Sequence, residues 1–229
     1  GTYKALAEIL KKHNPKQIFL VTGKGSYTSC GAEKLIEPML KKYYYVKFDD
    51  FGTNPKLEDI EKGVRLFKEK QCDFVIAIGG GSVVDIGKSI SILSSQKGNF
   101  KDFVIGVNKL TPKKITSVAI PTTAGTGSES THFSVIYVGK TKYSLAHESM
   151  LPDYATIDPT FTEKLPPYIT ACTGMDAFCQ AIESYWSINS TDESKQYSRE
   201  AIKLIIKNLP DAVNKPPKEV REAMVKAAN

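Results

Sequence analysis

Cysteine is sparse and unpaired along this chain. Its four cysteines, Cys30, Cys72, Cys172 and Cys179, include no C-x-x-C spacing. That removes the common zinc-ribbon and dithiol signatures and suits a reducing, cytoplasmic setting better than a disulfide framework. No apolar run approaches the ~20 residues that span a bilayer, and no secretory leader is visible, so no membrane partner is expected. Concentrated positive charge is missing as well. The net charge is only +6, and Lys11-Lys12, Lys41-Lys42 and Lys113-Lys114 read as solvated element ends. A nucleic-acid surface is therefore not expected. Internal repeats and low-complexity tracts are absent too. What remains is an ordinary soluble composition over 229 residues, 41% hydrophobic and 24% charged, enough for one large or two small domains.

The chain is organised around Asp73–Leu93, DFVIAIGGGSVVDIGKSISIL. A β-type run, Phe74–Ile78, feeds into Gly79-Gly80-Gly81-Ser82, and helical spacing follows at Val83, Val84, Ile86, Gly87, Ile90 and Leu93. Strand, glycine turn and helix N-terminus together make an anion cradle, because glycine lets backbone N–H groups approach an oxyanion and the helix dipole favours negative charge there. A ligand-free tight turn is the alternative. Two better-known motifs fail: Val84 stands where G-x-G-x-x-G needs its last glycine, and five residues separate Gly81 from Gly87-Lys88-Ser89 where a P-loop has four.

In chain order, helical spacing at 3–12, a strand at 17–21, a helix at 30–40, a strand at 43–48, a helix at 57–70, the strand at 74–78 and a helix at 82–93 alternate regularly. That order predicts a Rossmann-like α/β unit, a parallel sheet with helices on both faces. The loops at 22–26, 49–54 and 79–82 should then share the rim at the strands' carboxyl ends. Residues 94–114 read as a polar surface excursion. A strand at 117–120 leads into Pro121–Glu129, seven of whose residues are glycine, proline or hydroxyl-bearing. Thr131–Val138 and Lys142–Ala146 form a candidate ribbon, and Tyr154–Ile157 a further strand. After Pro166-Pro167 only helices are expected, at 168–186, 193–209 and 217–228. The last nine residues stop within a strong helix former, so the chain reads as a fragment of a longer protein.

Several of these segments, in this order, resemble the iron-containing (group III) alcohol dehydrogenase family. They are Gly79-Gly80-Gly81-Ser82 with Asp85 and Lys88, Pro121-Thr122-Thr123-x-Gly125-Thr126-Gly127-Ser128-Glu129, Thr173-Gly174-Met175-Asp176-Ala177, Lys142, and Pro152-Asp153 to Asp158-Pro159. The resemblance implies a dehydroquinate synthase-like fold. A dinucleotide-binding α/β domain would occupy 1–162, and 163–229 would begin an incomplete all-helical metal and substrate domain, with the active site in the cleft between. Homodimerisation is expected on the same ground. Gly79, Gly80, Gly81 and Ser82 would hold the pyrophosphate, with Gly23 and Ser26 on the first loop. Thr122, Thr123, Thr126 and Ser128 would line the cofactor, and Lys142 would lie near its nicotinamide ribose. Asp85, a helical turn beyond Ser82, is with Lys142 a candidate catalytic residue; the alternative for Asp85 is a first-turn acid that complements the helix dipole.

The implied reaction is NAD(P)-dependent interconversion of an alcohol and an aldehyde. Where relatives often carry an acid at the end of the first strand, this chain has Thr22-Gly23-Lys24-Gly25-Ser26. Small residues and a lysine accommodate a 2′-phosphate, which leans the cofactor to NADPH over NADH, unless Asp49 or Asp50 reaches that position. The family's metal helix carries Asp and His at i and i+4. Here those positions are Asp176 and Gln180, which leaves open a weakened Fe(II) or Zn(II) site or a lost one. His13, His132 and His147 fall outside the motif's ligand positions and read as structural or surface residues. Cys179 reads as a small buried side chain. Around Asp176 the chain resembles several family members that act on phosphonate-bearing aldehydes, in which Gln also stands in place of His, so the resemblance implies phosphonoacetaldehyde as a candidate substrate. A same-fold lyase or glycerol phosphate dehydrogenase, and a nucleotide-binding fragment without catalysis, are the alternatives.

Overall fold

Apolar runs without polar alternation form strands covered on both faces, and here they build the middle of a parallel sheet. The computed structural model describes residues 1–214 and 217–229. In chain order the first elements are α1 (Thr2–His13), β1 (Ile18–Thr22), α2 (Ser26–Ser29), α3 (Ala32–Leu40), β2 (Tyr45–Phe48), α4 (Leu57–Glu69), β3 (Phe74–Gly79), α5 (Gly81–Leu93), α6 (Phe100–Val104) and β4 (Thr116–Pro121). The ribbon strands β5 (Phe133–Val138) and β6 (Thr141–Ala146) follow, then β7 (Tyr154–Ala155), and the helices α7 (Pro167–Trp186), α8 (Asp192–Asn214) and α9 (Lys218–Ala228). Gly1–Pro121 with Ser128–Ile157 form one unit, and Thr122–Gly127 with Asp158–Asn229 form a second.

The first unit is a five-stranded sheet in the order β2-β1-β3-β4-β7, with every pairing parallel. All residues of β1 and β3 are buried. Leu57, Ile60, Val64 and Phe67 form the buried stripe of α4, whose first turn carries Glu58 and Asp59 to complement the helix dipole. At the centre of this core the wholly buried Phe19 lies 5.6 Å from the Phe48 ring and 5.5 Å from the Phe67 ring. The expected polar excursion contains a helix after all. Phe103 and Val104 of α6 are buried, and Asn99 caps its start by accepting from the Lys101 amide. An apolar triple at 100, 103 and 104 had enough burial to order that turn.

Asp153 fastens β4 to the segment before β7. Its Oδ2 accepts from Lys113 Nζ at 2.8 Å and from the Ser117 amide at 2.8 Å. Burial pushes the Asp153 carboxyl upward, but the Lys113 and Ser117 bonds outweigh it and hold the group below its ordinary value. A carboxylate depressed in the folded state stabilises above its unfolded pKa, near 4, and loses that contribution as pH falls through the folded value. Asp153→Asn should therefore cost about 1 kcal/mol at neutral pH. The gap to wild type should begin to narrow in urea unfolding below about pH 4 and go on closing as pH falls through the lowered folded value.

In the second unit α7 buries Gly174, Ala177 and Ala181 along one stripe, and small side chains there let α8 lie close. Sequence spacing ended α8 at 209, before Pro210, but the helix continues to Asn214. A single proline removes one intrahelical bond; Ala212, fully buried beyond it, keeps the last turn in place, and Asn214 Nδ2 donates to the Pro210 carbonyl at 2.8 Å. Arg221 of α9 is buried and donates to Thr170 Oγ1 at 2.9 Å and to the Leu165 carbonyl at 3.3 Å, which ties the end of the bundle to its start. Among the described residues no helix is long and apolar enough to cross a membrane.

Candidate cofactor site

The strand order reverses at β1: β2 lies on one side of it and β3 on the other. The connections leaving β1 and β3 therefore diverge, and the opening between them is where open parallel sheets receive ligands. Thr22, the last residue of β1, is in register with Ile78, and Gly79 with Pro121. So Gly23 to Ser26 and Gly79 to Ser82 emerge side by side. Ser26 begins α2, and Gly23 lies close enough to α5 that a Cβ there would stand 3.6 Å from Val83 Cγ2.

Gly79 is required by this turn. A Cβ added to it would sit 2.5 Å from Val83 Cγ2 and 2.7 Å from Val83 Cβ. Gly80 is the N-cap of α5, and its carbonyl accepts from the amides of Val83 and Val84 at 2.9 and 3.2 Å. The amides of Gly81 and Ser82, like those at any helix start, have no carbonyl one turn behind them. They point outward at the positive end of a helix of 13 residues, which is the chemistry of an anion cradle.

The acids belong to the end of β2. The Asp50 carboxylate lies 3.7 Å from Lys24 Nζ on the first loop and 3.9 Å from Lys62 Nζ on α4, while Asp49 pairs with Lys47 at 3.6 Å. The loop after β1 carries no acid of its own, yet it has one beside it. Strand adjacency, which the linear sequence does not print, is the missing signal.

Asp85 sits on α5, largely covered. Its Oδ1 accepts from Ser128 Oγ at 2.5 Å and its Oδ2 from the Val135 amide at 3.0 Å. Lys88, one turn on, is 3% exposed. Burial draws its ammonium below the ordinary lysine value, against the opposing pull of Asp85 and Glu129. In the sequence Lys88 stands out only as part of the motif; its i, i+3 spacing from Asp85, the one other charged residue of an otherwise apolar or small-residue helix, was the available signal for a buried role. Lys142 lies exposed on β6, opposite Tyr137.

Thr122, Thr123 and Thr126 leave the sheet after β4 and belong to the second unit, with Thr122 buried and the other two half-buried. Their loop rests directly on α7, since a Cβ at Gly125 would meet the Thr173 carbonyl oxygen at 2.6 Å. On the same helix Asp176 and Gln180 are both exposed, and Gln180 Nε2 donates to Asp176 Oδ2 at 2.9 Å. Among the described residues no three His, Cys, Asp or Glu side chains gather as a metal would need. One carboxylate and one amide are too few to close a zinc- or iron-type site, so these two residues alone do not fit an ion. The histidines have other work. His13 meets the Tyr154 hydroxyl at 3.0 Å, and His147 Nδ1 accepts from the Ser149 amide at 3.1 Å. Cys179, expected inside, is exposed, because it lies off the Gly174–Ala177–Ala181 stripe that faces the bundle.

A cavity of about 510 Å³ in the second unit is lined in part by Gln180, Ser184, Tyr197, Glu200 and Lys226. A smaller, apolar groove of about 330 Å³ runs between α7 and α8.

Comparison with known proteins shows the family. Residues 1–159 match the family described as iron-containing alcohol dehydrogenase, and residues 170–229 match the C-terminal part of the Fe-containing alcohol dehydrogenase family. Long-chain-alcohol dehydrogenase 1 of Geobacillus thermodenitrificans is 34% identical over 93% of this chain and 55% of its own length. The NAD-dependent methanol dehydrogenase of Bacillus methanolicus is 34% identical over 99% of this chain and 60% of its own. Among solved structures, sulfoacetaldehyde reductase from Bifidobacterium kashiwanohense, in complex with NAD+, superposes with a TM-score of 0.92 at 32% identity, over 100% of this chain and 61% of that one. The chain thus spans roughly three-fifths of the relatives it matches. With both the sheet unit and the helical unit accounted for, it belongs to the iron-containing alcohol dehydrogenase family.

Proposed function

We propose that the chain supplies the dinucleotide site of an oxidoreductase that interconverts an alcohol and an aldehyde. The observation that carries this reading is the β3–glycine turn–α5 cradle, set at the point where the sheet's strand order reverses. The Gly81 and Ser82 amides hold the pyrophosphate, and the absent side chain at Gly79 keeps the turn tight enough to present them. Gly23 and Ser26 border the same opening; Thr122, Thr123, Thr126 and Ser128 are assigned to line the cofactor, and Lys142 to its nicotinamide ribose, on family resemblance. A nicotinamide dinucleotide, when bound, gives or accepts the hydride.

Lysine in the first loop leaned the sequence reading towards NADPH. Asp50, 3.7 Å from Lys24 and 3.9 Å from Lys62, brings to this loop a carboxylate whose charge the two lysines offset and which can accept from ribose hydroxyls. We therefore read the cofactor as NADH. Two relatives support that choice, one named NAD-dependent and one solved with NAD+. Titration of the chain with NADH and NADPH should give NADH the tighter binding by about tenfold, or 1.4 kcal/mol. Asp50→Ala should shrink that ratio. Tighter NADPH binding would reverse the cofactor assignment, and binding of neither would sink the site itself. The substrate reading is a small anionic aldehyde such as phosphonoacetaldehyde, supported by the neighbouring sulfoacetaldehyde reductase, whose named substrate also joins an acidic group to acetaldehyde. A homodimer belongs to the same proposal.

A further inference from the structure

Lys88 Nζ is surrounded by oxygen. It lies 2.8 Å from the Ser128 carbonyl, 2.5 Å from the Phe133 carbonyl, 3.1 Å from Thr131 Oγ1, 3.3 Å from the Thr131 carbonyl and 3.4 Å from Asp85 Oδ1. An ammonium has only three N–H donors, so the shell offers more acceptors than directed hydrogen bonds can use. Such a shell is organised around a charge, as oxygen cages for hard cations are. Asp85 grips both ends of the same segment, through Ser128 Oγ and the Val135 amide, and Ser89 Oγ meets Ser134 Oγ at 2.8 Å. One face of α5, at 85, 88 and 89, thus holds the whole stretch from 128 to 135. The same helix presents the 79–82 cradle at its N-terminus, and the stretch begins where the loop 122–127 ends.

We propose that Lys88, seated by Asp85, is a positioning residue whose ammonium acts as a built-in monovalent cation. Segment 128–135 folds around it, and its placement fixes Ser128 relative to the pyrophosphate cradle. Neither side chain needs to touch the cofactor. This assignment reinterprets Asp85, and its consequence for binding rests on the dinucleotide reading above.

If the charge is what organises the shell, a small free cation should replace it. In Lys88→Ala, amide hydrogen exchange across 128–135 should accelerate about tenfold or more, with β1 and β3 unaffected. NADH affinity should fall by a similar factor. Ammonium or methylammonium chloride should restore most of both, whereas tetramethylammonium, too large for the shell and without N–H groups, should restore neither. Should Lys88→Ala fail to fold, Asp85→Asn provides the second measurement. It keeps the ammonium and an oxygen for Ser128 but removes the carboxylate charge, and it should loosen 128–135 selectively. Unchanged exchange in this segment, or loosening that responds equally to all three salts, overturns the proposal. The exchange measurement needs no nucleotide, so a wild-type chain that fails to bind NADH would sink the cofactor reading while leaving this one to be decided by exchange.

Discussion

Gly79→Val should raise the NADH dissociation constant at least about a hundredfold, or 2.7 kcal/mol, while the sheet unit stays folded. The Cβ of any residue at 79 falls 2.5 Å from Val83 Cγ2, so the first turn of α5 must move or unwind to admit it. Those are the residues whose amides form the cradle, and a displacement of about 1 Å is enough to misdirect them. Val83 is 6% exposed and has little room to retreat. The second substitution of a cycle makes the test specific. Val83→Ala removes the nearest clashing atom, Cγ2, together with Cγ1, and leaves Cβ at 2.7 Å, so the double variant Gly79→Ala with Val83→Ala should bind NADH better than Gly79→Ala alone but less well than wild type. A cycle with no coupling between the two positions, measured by calorimetric titration, would remove the steric argument for this glycine.

Phe19→Ala should destabilise the sheet unit by about 3–5 kcal/mol, the cost of a large cavity at a fully buried aromatic position. Part of that loss is the stacking against Phe48 and the edge contact with Phe67. Its site gives the substitution a functional reading as well. Phe19 belongs to β1, the strand at which the order reverses, so loosening it frees both loops of the candidate site. Phe19→Leu, which fills most of the volume, should cost less than half as much. Urea unfolding followed by circular dichroism checks the size, and the loss should appear in the sheet unit's transition, since Phe19 has no part in the helical unit.

The sheet was legible because its strands announce themselves. β1 up to Val21 and β3 are apolar, as strands covered on both faces are, and the glycine turn after β3 follows without interruption. Helical periodicity located α4 and α7 equally well, since each shows one stripe of buried positions. The short α6 escaped because three apolar residues within a lysine-rich stretch give too little periodicity to count. The end of α8 escaped because proline is a strong local veto that tertiary burial of Ala212 overrode. In the site, the glycines and hydroxyls could be read because they are contiguous. The Lys24–Asp50 pair could be suspected but not located, since it depends on β2 lying beside β1. The oxygen shell of Lys88 was wholly hidden: it is built mainly from backbone carbonyls, and a carbonyl looks the same in every residue.

The membership of the loop 122–127 in the helical unit has one more consequence. The chain passes between the two units at 121–122, again at 127–128, and a third time at 157–158. No single cut can therefore separate them intact. A piece ending at Ile157 would keep the loop while losing the α7 surface on which Gly125 rests, and a helical piece beginning at Asp158 would lack six of its own residues. The two units are not beads on a string that gene fusion could exchange freely. Each unit is built from stretches that are not consecutive in the chain, so neither can be taken out as one continuous piece.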